Sequence, residues 1–323
     1  MRIINAHVHM IELDELVRRY PDLEVPPGIA VLSDLEATLP MLLPQTLIAQ
    51  MDEAGVEQSI IYAVEAPLVY ASNEYVHSLC TQFPDRLMGF ASVNPLSPDA
   101  PAVLERAVRE MGLSGLKLHP PLQGFFPDDE AVFPVYKKAA DLDIPVVFHV
   151  GSTPFGSMVR LAHANPLLID EVAIRFPTLR IMLTHLGTLW HNEAFMVVEK
   201  NPNVFIDTAA YVTEITNILT PDMVHRIGPD KIIFGTDYPM PYGNRAHRMK
   251  DFVDCIKALN LPEETIAGIF SGNLERLLHG NAFPSLPVTA RDVAAKVAKL
   301  MQNESSRGRS VGPWDSWTSS KTG

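Results

Sequence analysis

Arg180-Ile-Met-Leu-Thr-His185 is a short apolar run that closes on a histidine and gives way at once to Leu186-Gly187. A nearly continuous apolar run, rather than an alternating one, is what a parallel strand covered by helices looks like. It belongs to the run Leu179–Thr184, and seven more of its kind follow in order: Arg2–His7, Gln58–Val64, Leu87–Val93, Gly115–His119, Pro145–Val150, Val204–Asp207 and Lys231–Thr236. Between most of them apolar residues recur at helical spacing. Pro44–Ala54 puts Leu47, Ile48 and Met51 on one face. Ala102–Met111 does so with Val103, Leu104, Ala107, Val108 and Met111, and Pro166–Phe176 with Leu167, Ile169, Val172 and Phe176. Phe83-Pro84, Met111-Gly112, Phe176-Pro177, Asn201-Pro202 and Gly228-Pro229 punctuate helix ends before the next strand. Eight β-then-α units of about 30 residues predict an α/β fold, a (β/α)8 TIM barrel. A doubly wound open sheet competes, but it would want a phosphate loop after the first strand. Neither GxGxxG nor GxxxxGKS occurs.

The predicted barrel spans 1–285, with an insertion over 11–43 that carries Pro21, Pro26, Pro27, Gly28 and Pro40. A C-terminal stretch, 286–323, reads as a helix over Ala290–Leu300 and then a loose tail with Trp314 and Trp317. The insertion, the Phe125–Phe126 loop and the Gly151–Arg160 loop are the expected walls of a pocket. The 323 residues hold 26 Lys and Arg against 38 Asp and Glu, a net charge of −12. No cation surplus exists to neutralise phosphates, so nucleic acid is excluded as a partner. No apolar run approaches the roughly 18 residues of a membrane helix, and no signal peptide precedes His7. Cys80 and Cys255 make no disulfide framework. A cytoplasmic protein with a small-molecule substrate is expected.

The histidines are unevenly placed. His7 and His9 are two apart at the end of the first strand, so their side chains share a face. His149 closes Pro145-Val-Val-Phe-His149, His185 closes the sixth run, and Asp237 closes Lys231-Ile-Ile-Phe-Gly-Thr-Asp237. Carboxyl ends of barrel strands hold active sites. Burying such groups costs free energy unless they are paired or coordinated. Four strand ends that all close on His or Asp therefore point to a shared metal centre rather than to satisfied core histidines and a capping aspartate. Lys117 and His119 share a face of the fourth strand and could bind a substrate carboxylate or oxyanion. Arg245, in the loop after the eighth strand, could reach an anionic substrate too. His191 and Glu65 lie on the right side to approach the pocket. His77, His163, His225, His247 and His279 read as surface or packing residues, and Asn273 reads as an N-cap with Arg276 exposed beyond it.

These motifs, with Gly115-Leu-Lys-Leu-His-Pro120, Thr184-His-Leu-Gly187, Phe234-Gly-Thr-Asp-Tyr-Pro239 and Ile269-Phe-Ser-Gly-Asn-Leu-Glu-Arg-Leu277, resemble the amidohydrolase superfamily. The branch is the amidohydrolase-related one, amidohydrolase 2, and the resemblance covers about residues 1–280. That branch holds hydrolases and non-oxidative decarboxylases, aminocarboxymuconate-semialdehyde decarboxylase among them. The resemblance implies His7, His9 and His149 as nitrogen ligands and Asp237 as the oxygen ligand of one divalent ion, Zn first and Mn second. It makes His185 a general base or substrate contact, and lets Asp237 shuttle a proton. A second ion bridged by a carbamylated Lys117 is the less favoured variant. Family members often form dimers, so a homodimer is expected. The preferred reaction is hydrolysis of a small ester, lactone or amide by a metal-activated water. The alternative is decarboxylation of a small aromatic or unsaturated acid. His-x-His on the first strand, where some decarboxylases of the branch carry Glu-x-His, and Val-Gly-Ser after His149 favour hydrolysis.

Overall fold

The apolar runs become strands β1 Ile4–His9, β2 Gln58–Tyr62, β3 Leu87–Phe90, β4 Leu116–Leu118, β5 Val146–Phe148, β6 Ile181–Leu183, β7 Val204–Asp207 and β8 Ile232–Ile233. The computed structural model describes residues 1–24, 39–239, 248–280 and 299. All pairings are parallel and follow chain order within two groups, β1-β2-β3 and β4-β5-β6-β7-β8. Two seams join the groups. At one, Ala91 bridges Leu116, and the Ala91 N–H donates to the Gly115 carbonyl at 2.7 Å. At the other, Val8 bridges Tyr238, while the Ala6 and His9 N–H groups donate to Phe234 at 2.9 Å and Tyr238 at 2.6 Å. The sheet closes on itself as a (β/α)8 barrel.

Alternation is hidden inside the continuous apolar runs. Leu116, Leu118, Val146, Phe148, Ile181, Leu183, Val204 and Ile206 form one apolar cluster with helix residues such as Leu104, Ala107, Val135, Ile169, Val172 and Val198. Lys117, Val147, Met182 and Phe205 are the residues between them. They are buried yet lie outside that cluster, as expected of side chains that fill the barrel interior. The helix Pro44–Ala54 buries Leu47 and Met51 and ends on Gly55, whose φ of +70° is one that glycine adopts without strain. The third anticipated helix begins at Leu168, one residue too late to include Leu167, which is 45% exposed.

Arg180, 4% exposed, ties the helix Asn273–His279 to the barrel floor. Its Nε donates to the Leu277 carbonyl at 2.6 Å, and its other nitrogens reach the carbonyls of Leu278 and Gly280 and the Asp143 carboxylate. These are C-terminal carbonyls of a helix, which need such donors. Asn273 is not an N-cap, because the chain is already helical over Gly268–Gly272. Its side-chain amide donates to the Pro229 and Ile232 carbonyls instead. The chain divides into two compact units, Met1–Asn281 and Ala282–Gly323. The anticipated boundary at 285/286, the helix Ala290–Leu300 and the tail tryptophans lie outside the described residues, as do residues 25–38 of the insertion. No described helix is long and apolar enough to cross a membrane.

Phe148 on β5 packs its fully buried ring edge-on against Tyr136, at 5.5 Å between centroids. Phe148→Ala empties that space, and destabilisation of about 3–5 kcal/mol is expected from the shift of a urea unfolding curve. A shift below about 1 kcal/mol would mean that the barrel–helix layer is not packed as described.

Candidate metal centre

His7 and His9 end β1 with 0% and 6% exposure. The β1–β8 seam sets them beside Asp237, 228 residues further along the chain. His7 Nε2 lies 3.1 Å from His9 Nε2 and 3.2 Å from Asp237 Oδ1, and His9 Nε2 is 3.3 Å from the same oxygen. Ligand atoms at about 2.0–2.2 Å from one ion, with angles between octahedral and tetrahedral, stand about 3.0–3.5 Å apart. The three edges fit. Gly235 makes the approach possible: a Cβ there would sit 2.9 Å from the Cβ of His7, an atom that no side-chain rotation can move away.

The hydrogen bonds fix the ring tautomers. His7 Nδ1–H donates to Asp207 Oδ2 at 2.7 Å, which leaves its Nε2 lone pair for an ion. His185 Nδ1–H donates to the Ala209 carbonyl at 2.6 Å, so its Nε2 accepts from His149 Nδ1–H at 3.0 Å. His149 Nε2 is then a bare lone pair. It is shielded from water and has no partner among the described residues. A buried imidazole lone pair beside a tight N,N,O set is a donor suited to a metal ion. The residues present therefore fit a divalent ion.

The electrostatics agree. Burial and the Lys117 charge push His7 down, but Asp207 and Asp237 outweigh them and leave its pKa raised. Burial takes His9 down to about 4 despite Asp237. Burial works against the Asp237 carboxylate, yet the charges of His185, His7 and His9 hold its pKa well below the ordinary range. Two carboxylates among imidazoles make a place for positive charge. Lys117 is fully buried, and burial lowers it to about 8 against the pull of Asp207 and Asp237. Its Nζ has no hydrogen-bond partner and lies 4.9 Å from the centroid of the Tyr62 ring. That ring also packs 4.8 Å from His7.

The anticipated residues are placed as follows. His7, His9 and Asp237 come together as one close ligand set. His149 is adjacent but outside it, hydrogen-bonded to His185 and stacked on His119 at 4.0 Å. His185 is grouped instead with His7 and Asp207. Its φ of +62° and that of Asp237, +55°, are left-handed. His119 caps the turn Pro120–Gln123 through Nδ1, which the Leu122 N–H reaches at 3.3 Å. Glu65 is engaged by Arg19 at 2.9 Å, and His191 by the Leu186 carbonyl at 2.8 Å. Arg245 lies outside the described residues. Two participants were not anticipated. Asp207 closes Val204-Phe-Ile-Asp207 just as Asp237 closes its own run, a signal present in the sequence. Tyr62 carried no such signal.

The family model described as Amidohydrolase matches residues 4–280. The chain is 29% identical over 255 residues to the 2-keto-4-carboxy-3-hexenedioate hydratase of Sphingobium sp. (strain NBRC 103272 / SYK-6), across 67% of this chain and 72% of that one. It is 26% identical over 251 residues to the gamma-resorcylate decarboxylase of Polaromonas sp. (strain JS666 / ATCC BAA-500), across 58% and 74%. A crystal structure of 5-carboxyvanillate decarboxylase from Novosphingobium aromaticivorans, with bound manganese, superposes with a TM-score of 0.66 at 18% identity, across 86% and 97%. At that identity it shows the shared barrel. These findings overturn hydrolysis of an ester, lactone or amide as the expected reaction. The physical reason is that a Lewis acid beside an acid/base pair serves either chemistry. His-x-His on β1 and Val-Gly-Ser after His149 therefore do not discriminate.

Asp207 orients His7 and also accepts the His185 N–H at 2.7 Å. Asp207→Asn removes the charge behind His7 and should weaken divalent-metal binding by about 10- to 100-fold. Competition with a chelating indicator measures this, with circular dichroism as the check on folding. Unchanged affinity would show that His7 does not ligate through Nε2.

Proposed function

The chain belongs to the amidohydrolase family, and from that premise we propose that it is a metal-dependent carboxy-lyase that removes CO2 from a small aromatic or unsaturated carboxylic acid. The observation that carries this is Lys117. An amine with no hydrogen-bond partner among the described residues, fully buried beside the ligand set, is a counter-charge awaiting an anion. A carboxylate substrate pairs with it, whereas a neutral ester, lactone or amide leaves it unpaired. The similarity to a gamma-resorcylate decarboxylase supports the same reading.

In this reading His7, His9 and Asp237 hold the ion, with His149 Nε2 as the further ligand. Imidazole and carboxylate suit Zn or Mn, and the manganese of the 5-carboxyvanillate decarboxylase favours Mn here. The ion, when bound, supplies a Lewis acid for a substrate oxygen. Lys117 Nζ orients the carboxyl group, and Tyr62, whose hydroxyl is tied to the Ala6 carbonyl, walls one side. His119, stacked on His149, is a second contact for the substrate. The bond from carbon to the carboxyl group breaks, its electron pair stays on that carbon, and CO2 leaves. The carbon takes a proton in exchange. His185 Nε2, whose ring is held by the bond from Nδ1 to Ala209, and the Asp237 carboxylate are the atoms that carry it.

A second reading, addition of water to a conjugated double bond, is favoured by the hydratase relative. Both readings take a small unsaturated acid and deliver a proton to its carbon. The free thiols Cys80 and Cys255 fit a reducing compartment.

One assay separates the readings. Metal-loaded protein is incubated with a panel of phenolic and unsaturated acids, with CO2 release and ultraviolet absorbance followed together. CO2 release is expected, and it should fall to background in Asp237→Asn. Loss of conjugation without CO2 identifies the hydratase, and substantial activity in Asp237→Asn removes its assigned proton transfer. Lys117→Gln forfeits a charge-assisted hydrogen bond, so kcat/KM should drop about 10- to 100-fold.

A further inference from the structure

Outside the metal centre, the segments that follow β4 and β5 line an open cleft of about 530 Å3, within the range of about 300–1,000 Å3 for small-molecule sites. Phe125, Phe126, Met158, Arg160, His163 and Asp129 are among its walls. None of His7, His9, His149, His185, Asp207 and Asp237 lines it.

Two of its polar groups, His163 and Arg160, are not satisfied by the described residues. His163 is only 6% exposed, although the sequence suggested an ordinary surface or packing residue. The Phe126 ring meets its ring edge-on at 4.4 Å, and its Nδ1 is shielded from water without a hydrogen-bond partner. Arg160, exposed at the rim, is the second group without a protein partner among the described residues. Every other arginine among the described residues has a carboxylate within ion-pair distance, and Arg160 has none. Asp129, in the same wall, spends Oδ1 on the Ala131 N–H at 2.9 Å and does not pair with Arg160. Burial, and then the Arg160 charge, hold His163 below the ordinary imidazole pKa. At neutral pH the imidazole is therefore uncharged and the cavity's cation is the guanidinium.

We propose that this cavity is a second binding site, for a small planar carboxylate. The guanidinium of Arg160 pairs with the carboxylate, a ring or conjugated chain lies against Phe126 and Met158, and His163 contributes a hydrogen bond. Planar recognition of a carboxylate by arginine is a strong pairing, and the apolar walls supply the contact area. The inference stands on the cavity's own residues and is read by binding, so it succeeds or fails independently of the reaction.

The probe is 4-bromobenzoate on the metal-loaded protein. Anomalous scattering from bromine in soaked crystals locates it, and isothermal titration counts the sites in solution. Bromine is expected between Phe126 and His163, with a solution binding step that weakens at least about tenfold in Arg160→Gln. The Arg160 side chain is exposed, so this variant should fold, and His163→Asn gives an independent second test with the same expectation. Bromine found only at the metal centre, or an unchanged titration in both variants, overturns the proposal. Equal binding of neutral 4-bromobenzamide overturns it as well, because the cavity would then read the ring and not the carboxylate.

Discussion

The hydrogen bond from His7 to Asp207 is the contact on which the centre depends, because it decides which way the first ligand faces. Both side chains are wholly shielded from water. A buried carboxylate is tolerated only with donors around it, and Asp207 has three: His7 Nδ1–H and the N–H groups of His185 and Ala209. One side chain therefore fixes the tautomer of a ligand on β1 and the backbone of the turn after β6. Closure of the sheet makes this possible. Without the β1–β8 seam, His7 and Asp237 would sit on opposite edges of an open sheet.

The turns after β6 and β8 show what it takes to aim a side chain at the same point. His185 and Asp237 are not glycines, yet both have left-handed backbone angles. Each such residue costs about 1–3 kcal/mol and persists only where its surroundings hold it. For His185 the hold is visible in two bonds, N–H to Asp207 and Nδ1–H to Ala209, which together leave little freedom to relax. Strain of this kind, at two strand ends that converge on one group of imidazoles, is the signature of a site shaped for chemistry rather than for stability.

Much of this was legible in the sequence because burial writes itself into strand composition. The eight runs gave the barrel, and polar residues at their carboxyl ends marked the centre. What escaped notice did so for physical reasons. Asp207 obeys the same rule as Asp237, but a sequence does not distinguish a carboxylate that ligates from one that orients a ligand. Tyr62 is an aromatic residue in an apolar strand, indistinguishable from core until its ring is seen beside His7 and Lys117. The bond from His149 to His185 and its stacking on His119 are contacts between strands that no linear pattern reports. The buried state of His163 depends on how Phe126 folds back over it, which is a matter of loop conformation.

The type of reaction was the hardest property to read, and the reason lies in charge rather than in ligand identity. Hydrolysis, hydration and decarboxylation can all use imidazoles, a carboxylate and one ion. They differ in what else the substrate brings. Lys117 reads in the sequence as a substrate contact and, less favourably, as a carbamylated bridge, and in the structure its Nζ sits over an aromatic ring without a hydrogen-bond acceptor among the described residues. Burial lowers its pKa to about 8, against the pull of the Asp207 and Asp237 carboxylates. Its amine still lacks a hydrogen-bond acceptor among the described residues, and a negatively charged substrate group would supply one. A carboxylic acid brings one, and that is the physical basis of the substrate class proposed above.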